Sequence, residues 1–265
     1  MTGSGNDFVM VDSRVSPPEE WAPTDMQAVC ARATGVGGDG VVFVGPGSGR
    51  SAVRMVYFNS DGSRAAMCGN AALCSAWLAA RLDLAPATGM RLETDAGPYE
   101  ARAAVDAARA ELHLAPVTAP TAVPGLGIGP GESRAALATV GVPHLVVLVE
   151  DVDRVDLVTR GRSLRFDAAL GPGGANVNFV SPSSEGGMWR LRTYERGIEG
   201  ETLACGTGSV AAGCALSDWG LATLPLTVRS ASGRLLAVQA KHVNGGYDDV
   251  WLAGEARLIF RGVLT

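Results

Sequence analysis

Apolar residues recur along the chain with two periodicities, and both periodicities occur in each half. Short apolar runs such as "VVFV" at 41–44 and "NVNFV" at 176–180 have the length of strands and are followed by turns rich in Gly, Pro and Ser. Two Ala-rich segments, 71–82 and 209–221, instead have apolar residues at helical spacing. The pattern predicts an α/β protein in which strands accompany two apolar central helices.

The predicted elements appear twice in the same order. Each half is predicted to contain a strand, a helix, hairpin strands, a central helix and further hairpin strands. The spacings between landmarks nearly repeat: Phe43 to Asn59 and Phe179 to Glu195 are both 16 positions, Asn59 to Cys68 is 9 and Glu195 to Cys205 is 10, and Cys68 to Gly97 is 29 while Cys205 to Gly233 is 28. We therefore predict an internal repeat that forms two similar lobes.

The lobe boundaries follow from the repeat and from composition. The stretch 115–133 is rich in Pro and Gly and is predicted to be the linker region. An N-terminal lobe at 1–114 and a C-terminal lobe at 134–253 are then expected, related by a pseudo-twofold axis. A C-terminal strand at 254–265 is expected to return to the N-terminal lobe.

The repeat also makes a prediction about the start of the chain. In the second half, "ESRAALATVG" precedes "VPHLVVLVED" and supplies an additional strand, whereas only Met1 to Ser4 precede the equivalent "GNDFVMVD". The matching strand is therefore expected to be absent, which would leave an unpaired strand edge. We expect the natural start to lie upstream of Met1.

Charge and hydropathy narrow the class of partner. The net charge is −5 and the pI about 5.3, with no long run of Lys or Arg. Nucleic acid and anionic membranes are therefore disfavoured, and a small-molecule partner is expected. No secretion signal follows Met1, and the longest apolar run, at 144–150, is too short to span a bilayer. We expect a soluble, cytoplasmic protein, with a homodimer left open.

Two residue counts bear on the chemistry. An odd number of cysteines, five, without a secretion signal indicates reduced thiols rather than a disulfide framework. Lys241 is the only lysine, and it lies in "VQAKHVNGGYDDVWL", which reads as an exposed β-hairpin. Because pyridoxal phosphate normally needs a Schiff-base lysine, amino-acid chemistry here is expected to use no cofactor.

Cys68 and Cys205 occupy equivalent positions, each at the start of a predicted central helix and each followed by Gly. A thiol at a helix N-terminus faces unpaired backbone N–H groups, which favours the thiolate. Two thiols on opposite faces of one carbon meet the requirement for inverting an α-carbon, since one removes a proton while the other delivers one. The pattern therefore indicates a racemase or epimerase without a cofactor.

The sequence disfavours other roles for the cysteines. Cys30, Cys74 and Cys214 fall on helix faces and are predicted to be core residues. Zinc is disfavoured because Cys-x5-Cys and Cys-x8-Cys are not structural zinc spacings and the chain has three His. A dithiol redox protein is disfavoured by the lack of Cys-x-x-Cys.

Six stretches, in the same order along almost the whole chain, make this sequence resemble the diaminopimelate epimerases. They are "GSGNDFVMVD" at 3–12, "GVGGDGVVFV" at 35–44, "FNSDGSRAAMCGN" at 58–70, "VPHLVVLVEDVD" at 142–153, "NVNFV" at 176–180 and "YERGIEGETLACGTGS" at 194–209. The resemblance implies two lobes, each a mostly antiparallel curved sheet or barrel around a central helix. It also implies interconversion of LL- and meso-2,6-diaminopimelate, without cofactor, in lysine and cell-wall precursor biosynthesis.

The resemblance further implies roles for single residues. Cys68 and Cys205 match the two cysteines that transfer protons, and His144 and Glu195 match residues that tune the thiols. The positions that match substrate-binding residues are Asn6, Asn59, Gly69, Asn70, Asn176, Glu195, Arg196, Gly206 and Thr207. Arg196 suits a distal carboxylate because its guanidinium is a forked donor.

Three departures from the family pattern fall at positions linked to recognition of the substrate's distal end rather than at the two thiols. Val142 stands where many members have Asn, Gly40 stands where some have a polar side chain, and "ERGIEGET" has one additional residue. The reaction type is therefore predicted more firmly than the substrate. A related racemase acting on another amino acid, such as histidine, is the alternative.

Overall fold

The computed structural model describes residues 1–264. Within them the chain divides into a first unit, Met1–His113 with the segment from Ala253 on, and a second unit, Leu114–Leu252. The four α-helices of the described residues are α1 (Pro23–Cys30), α2 (Gly69–Arg81), α3 (Leu157–Arg165) and α4 (Gly206–Asp218). Each unit therefore contains one shorter and one longer α-helix.

Strands of the first unit follow one another in an order set by hairpins and two crossovers. They are β1 (Thr2–Gly3), β2 (Asn6–Asp12), β3 (Gly40–Pro46), β4 (Ala52–Asn59), β5 (Arg64–Ala65), β6 (Met90–Thr94), β7 (Gly97–Ala104) and β8 (Arg109–Leu114), whose last residue falls in the second unit. Pairs β2–β3 and β4–β6 are parallel, and β1–β2, β3–β4, β4–β5, β6–β7 and β7–β8 are antiparallel. Helix α2 lies in the connection between β5 and β6.

The second unit repeats that order. Its strands are β9 (Val117–Thr118), β10 (Glu132–Val140), β11 (Val142–Val149), β12 (Asn176–Pro182), β13 (Met188–Glu195), β14 (Gly200–Thr202), β15 (Leu226–Arg229), β16 (Leu235–Val243) and β17 (Gly246–Glu255), which continues past Leu252. The parallel pairs are again the equivalent ones, β11–β12 and β13–β15. The antiparallel pairs β10–β11, β12–β13, β13–β14 and β15–β16 also have counterparts in the first unit. The predicted repeat is thus present in the strand pairing.

Each longer helix is buried because it is apolar on nearly every side. Helix α2 packs against β1, β3, β4 and β7, and nine of its thirteen residues are buried. Helix α4 packs against β10, β11, β12 and β16, and nine of its thirteen residues are also buried. A helix that is apolar all round is stable only when strands cover it. The prediction of a mixed α/β fold with mostly antiparallel strands and a central helix in each half is confirmed.

The shorter helices explain why β3 and β12 are continuous apolar runs. Met26 and Cys30 of α1 pack against Val41 and Phe43 of β3, while α2 covers the opposite face of that strand. In the second unit, α3 packs in the same way against Val177 and Phe179 of β12. A strand that is covered on both faces carries apolar residues without alternation.

The structure refines three expectations about chain boundaries. The stretch 115–133 belongs to the second unit, where β9 pairs with β17 and Thr121 bridges Leu137, so its backbone is used in pairing rather than as a spacer. The segment from 254 on belongs to the first unit, as expected, and Arg257 bridges Thr2, but only residues up to Glu255 are a strand; residue 265 lies outside the described residues. Before β2 the structure has a strand, but a short one: β1 has two residues, whereas its counterpart β10 has nine. Strand β1 pairs with β2, and the Met1 carbonyl accepts from Phe8 N at 2.9 Å.

The remaining residues with predicted environments are placed as expected. Cys30, Cys74 and Cys214 are buried. Lys241 is exposed on the β16–β17 hairpin, where Nζ lies 2.7 Å from a carboxylate oxygen of Asp249. Across residues 1–264, no helix is both long and apolar enough to cross a membrane.

Replacing Phe179 tests the packing under α3. Its side chain is fully buried among Leu145, Leu157, Leu164 and Tyr194. Truncation of a buried Phe to Ala costs about 3–5 kcal/mol, because apolar burial is lost and a cavity remains. We expect Phe179→Ala to lower the free energy of unfolding in urea by that amount.

The matched control is Phe260→Ala, since Phe260 is 61% exposed. An exposed substitution of this kind changes stability by about 0.5 kcal/mol or less. Equal losses in the two variants would contradict the placement of Phe179 in the core.

Candidate active site

Cys68 and Cys205 hold the same position on the two longer helices. Each residue is the N-cap, with an extended backbone at φ −139° and ψ 123° for Cys68 and at φ −125° and ψ 107° for Cys205. The Cys68 carbonyl accepts from Ala72 N at 2.9 Å, and the Cys205 carbonyl accepts from Ser209 N at 3.0 Å. The thiols therefore lie where the helix backbone presents its unpaired N–H groups and the positive end of its dipole.

The two thiols differ in their surroundings. Cys205 is buried, and its Sγ lies 3.7 Å from Oγ1 of Thr207 in the first helical turn. Cys68 is half-buried, and no atom would lie within 4 Å of a Cβ on the adjacent Gly69. The start of α2 thus has open space beside the Gly69 backbone.

Asn6 and Asn70 meet at the start of α2. Asn70, two residues after Cys68, donates from Nδ2 to Oδ1 of Asn6 at 2.7 Å. Asn59 lies at the end of β4, where its Nδ2 donates to Oγ of Ser63 at 3.0 Å, and it pairs in register with Gly40 of β3. Two of the predicted amides, Asn6 and Asn70, are therefore hydrogen-bonded to each other, and the third, Asn59, lies at the end of β4.

Asn176, Glu195 and Arg196 cluster at one end of β12 and β13. Asn176 begins β12 and Glu195 ends β13, and the residues next to them, Val177 and Tyr194, form a register pair. Oδ1 of Asn176 accepts from the backbone N of Arg196 at 2.8 Å. Nη1 of Arg196 donates to the Gly173 carbonyl at 3.5 Å, a long contact that leaves most of the guanidinium available. This corner of the second unit can therefore offer forked donors to an anion.

His144 begins a buried hydrogen-bond network that sequence pattern alone does not reveal. Nδ2 of Asn178 lies 3.2 Å from Nδ1 of His144 and donates to the Leu145 carbonyl at 3.3 Å. Oδ1 of Asn178 accepts from Oγ1 of Thr193 at 2.9 Å. His144, Asn178 and Thr193 are each 2% exposed or less. In the sequence, the sign of this network is a polar residue, Asn178 or Thr193, within a strand that is otherwise mostly apolar.

The network fixes the tautomer of His144. The Leu145 carbonyl only accepts, so the Asn178 group that contacts it is the NH2 group. That NH2 group also faces Nδ1 of His144, which must then accept, and the ring proton resides on Nε2. Nε2 is buried with no hydrogen-bond partner among residues 1–264. His144 therefore holds one buried N–H donor that no described residue uses.

Asn178 also connects His144 to the start of α4. A Cβ on Gly208 would lie 2.2 Å from Oδ1 of Asn178 and 3.1 Å from Sγ of Cys205. Position 208 must therefore be glycine for the Asn178 amide to approach the helix this closely. The second thiol and the amide that orients His144 both contact this one glycine position.

Burial shifts the protonation of both groups predicted to tune the thiols. It lowers the pKa of His144 to about 3, and the positive charge of Arg196 acts in the same direction. Burial raises the pKa of the Glu195 carboxyl. At neutral pH, His144 is therefore a neutral hydrogen-bonding group, and the proton of Glu195 is held more tightly than in water.

Strand register shows that the two units are not chemically equivalent. His144 pairs with Asn176, and the equivalent pair in the first unit is Phe8 with Gly40. A Cβ at Gly40 would lie 2.6 Å from the Tyr57 ring and 2.3 Å from the Phe58 carbonyl, so the ring fills the space of a side chain there. Aromatic residues in the first unit thus replace the polar network of the second.

The remaining departures from the family pattern lie at exposed positions. Val142 starts β11 with 36% of its surface exposed, and Ile198, in the longer "ERGIEGET" turn, is 63% exposed. In that turn Glu199 adopts a φ of 54°, and its Oε1 accepts from Gly197 N at 3.1 Å. The additional residue is thus accommodated without burial.

Sequence comparison identifies relatives that share the whole chain. The family profile described as diaminopimelate epimerase matches residues 1–118 and 136–258. A diaminopimelate epimerase of Gemmatimonas aurantiaca is 44% identical over 277 residues, covering 100% of this chain and 98% of the relative. A diaminopimelate epimerase of Aquifex aeolicus is 36% identical and covers 100% of this chain and 96% of the relative.

Solved structures with low sequence identity share the fold. A phenazine biosynthesis protein of the PhzF family from Bacillus anthracis superposes with a TM-score of 0.72 at 14% identity, covering 96% of this chain and 92% of that one. A hydroxyproline epimerase from Agrobacterium vitis superposes with a TM-score of 0.59 at 19% identity, covering 91% and 78%. Fold, repeat, paired cysteine positions and full-length sequence similarity agree, and the chain belongs to the diaminopimelate epimerase family.

Proposed function

We propose that this protein interconverts LL- and meso-2,6-diaminopimelate by a two-cysteine proton transfer that uses no cofactor. The observation that carries the proposal is that Cys68 and Cys205 cap two equivalent buried helices. Family membership gives the same reaction class, an amino-acid epimerase. The cytoplasmic location expected from the sequence stays a prediction, and the homodimer stays a possibility that the sequence leaves open.

In the proposed reaction, the thiolate of one cysteine removes the α-proton and the thiol of the other delivers a proton to the opposite face of the carbon. The C–H bond that breaks leaves its electron pair on the carbon and the adjoining carboxylate, and the new C–H bond uses that pair. Backbone N–H groups at Gly69, Asn70, Gly206 and Thr207 stabilise the carboxylate as charge develops. The second thiol becomes a thiolate, so the reverse reaction starts from the product.

His144 and Glu195 are proposed to set the charge around the thiols. A neutral His144 offers Nε2–H as a donor without adding a positive charge, and this donor stabilises an anion when substrate is bound. A carboxyl group with a raised pKa, as at Glu195, can share a proton with a nearby thiolate. The two groups therefore fit the need for one thiolate and one thiol at the same time.

The distal end of diaminopimelate is a zwitterion, and its recognition is proposed to use side chains from both halves of the sequence. Arg196 is the partner for the distal carboxylate, since its guanidinium donates in a fork. Amide oxygens suit the ammonium group, and the candidates are Asn6, Asn59 and Asn176. Gly40 and Val142 contribute no polar side chain, so Arg196 and the three asparagines must supply the specificity for the distal end.

Proton exchange tests the substrate directly. The protein is incubated in deuterated water with LL-diaminopimelate, and separately with histidine, proline and other single amino acids, while the α-proton signal is followed by NMR. Exchange with diaminopimelate alone is expected. Faster exchange with histidine would assign the chain to the alternative racemase.

The two-base reaction requires both thiols. We expect Cys68→Ala and Cys205→Ala each to lower the rate of epimerisation by at least about a hundredfold, because each removes a general acid–base group. The control Cys30→Ala, which changes a buried thiol on α1, is expected to retain the parent rate per folded molecule. A Cys68→Ala protein with near-parent activity would exclude the two-thiol mechanism.

Arg196→Lys tests recognition of the distal carboxylate. Lysine keeps the charge but loses the forked geometry, so kcat/KM for diaminopimelate is expected to fall at least about tenfold, or roughly 1.4 kcal/mol. The control Arg234→Lys changes an arginine that has no proposed role at the substrate, and it should leave kcat/KM unchanged. If Arg196→Lys also left it unchanged, the distal carboxylate would bind elsewhere.

His144 makes stability depend on pH. Its folded-state pKa of about 3 is below the unfolded value near 6.5, so the unfolded chain takes up the proton first as the pH falls. This contribution to the free energy of unfolding is complete above about pH 6.5 and decreases toward pH 3. In urea unfolding at a series of pH values, His144→Gln should lose less stability than the parent between pH 6.5 and 4. The control His242→Gln, at a side chain 67% exposed, should follow the parent, and identical slopes for all three would contradict the burial of a neutral His144.

A further inference from the structure

Asp39 lies at the end of a chain of side-chain hydrogen bonds that reaches the start of α2. It belongs to the Gly-rich stretch "GVGGDG" at 35–40, to which the proposed reaction gives no role. Its Oδ2 accepts from Nδ2 of Asn6 at 2.8 Å, and Oδ1 of Asn6 accepts from Nδ2 of Asn70 at 2.7 Å. Two hydrogen bonds therefore separate the carboxylate from the residue that follows Cys68 and Gly69.

The carboxylate of Asp39 is itself held firmly. Its Oδ1 accepts from Nη2 of Arg32 at 2.7 Å, and its Oδ2 also accepts from the backbone N of Asp7 at 3.2 Å. The Asp39 backbone N donates to Oδ1 of Asp7 at 3.1 Å, and Arg32 pairs with both oxygens of Asp7 at 2.9 Å. The oxygens of Asp39 are therefore fixed from several directions.

A fixed carboxylate imposes a direction on the two amides. An ionised carboxylate only accepts hydrogen bonds, so Asn6 must present its NH2 group to Asp39. The oxygen of Asn6 then faces Asn70, which must present its own NH2 group in turn. With its NH2 group used in this way, Asn70 has its oxygen left as an acceptor.

That oxygen is an unused acceptor in a buried position. Asn70 is 4% exposed, and its Oδ1 has no hydrogen-bond partner among residues 1–264. A buried polar atom without a partner costs about 1–3 kcal/mol, so a ligand that donates a hydrogen bond here gains affinity. Close to Cys68, the donor that the proposed substrate brings is the ammonium group on the reacting carbon.

We propose that Asp39 is a positioning residue that sets the donor and acceptor direction of Asn6 and Asn70, so that Oδ1 of Asn70 accepts from the ammonium group at the reacting end of the substrate. The inference rests on the proposed function. If Asn70 were turned by 180°, its NH2 group would face the ammonium, and two donors would oppose each other. Asp39 acts through the amides and does not itself contact the substrate.

Asp39→Asn tests whether Asp39 sets the donor and acceptor orientation of Asn6 and Asn70. An amide at position 39 can either donate or accept, so both orientations of Asn6 and Asn70 become allowed. KM for diaminopimelate is expected to rise at least about tenfold with a smaller change in kcat, because the lost contact is made equally in the ground and transition states. The matched control is Asp7→Asn, which removes a charge from the same Arg32 cluster; its carboxylate accepts from Arg32 and from the Asp39 backbone N but not from Asn6, so KM should change less than about threefold.

A double-mutant cycle separates positioning from general damage. In an Asn70→Ala background, Asp39→Asn should have no further effect on KM, because its effect passes through Asn70. The inference is wrong if Asp39→Asn raises KM equally with Asn70 present or absent, or if Asp7→Asn raises KM as much. A parent protein that shows no α-proton exchange with diaminopimelate would instead refute the proposed function.

An NMR measurement without substrate tests the inference independently of activity. The side-chain NH2 signals of Asn6 and Asn70, assigned with the Asn6→Ala and Asn70→Ala proteins, report their hydrogen bonds. Both signals are expected to move in Asp39→Asn and to stay in place in Asp7→Asn. An unmoved Asn70 signal in Asp39→Asn would overturn the inference, whatever the substrate proves to be.

Discussion

The need to bury two almost wholly apolar helices is the constraint on which the rest of this structure depends. Helices α2 and α4 are stable in water only because strands cover them on several sides. Only the end of such a helix remains accessible, and at the N-terminal end the first backbone N–H groups have no intrahelical partner. The folding requirement and the chemical requirement therefore coincide at Cys68 and Cys205, where each helix begins.

The repeat supplies two equivalent frameworks but not two equivalent environments. Register pairs place His144, Asn178 and Thr193 of the second unit at the positions of Phe8, Val42 and Tyr57 in the first. A polar network in one unit thus corresponds to an aromatic and aliphatic cluster in the other, where Phe8 and Tyr57 meet edge to face. Because inversion of a carbon needs one thiolate and one thiol, unequal surroundings suit the proposed reaction better than strict symmetry.

In both units, a buried side-chain amide has its donor and acceptor orientation set by a neighbouring group. Side-chain amides can present either a donor or an acceptor, so each needs a neighbour that can play only one part. The Leu145 carbonyl has this role for Asn178 in the second unit, and the Asp39 carboxylate has it for Asn6 in the first. The groups left over are a donor on Nε2 of His144 and an acceptor on Oδ1 of Asn70, both buried and unpartnered among residues 1–264.

Periodicity and spacing in the sequence were enough to determine the fold class, the internal repeat and the two cysteine positions, because helix starts and strand lengths depend on local pattern. Resemblance to the family added the other candidate site residues, among them His144, Glu195 and Arg196, which lie on or next to strands. The sequence could not reveal that 115–133 pairs as part of the second unit, or that Thr2 and Gly3 form the short strand before β2, since strand pairing joins residues far apart in the chain. It also could not reveal Asn178 and Asp39 as partners of site residues. Tertiary structure alone decided which buried polar atoms meet, because a hydrogen bond depends on position and orientation in space rather than on order along the chain.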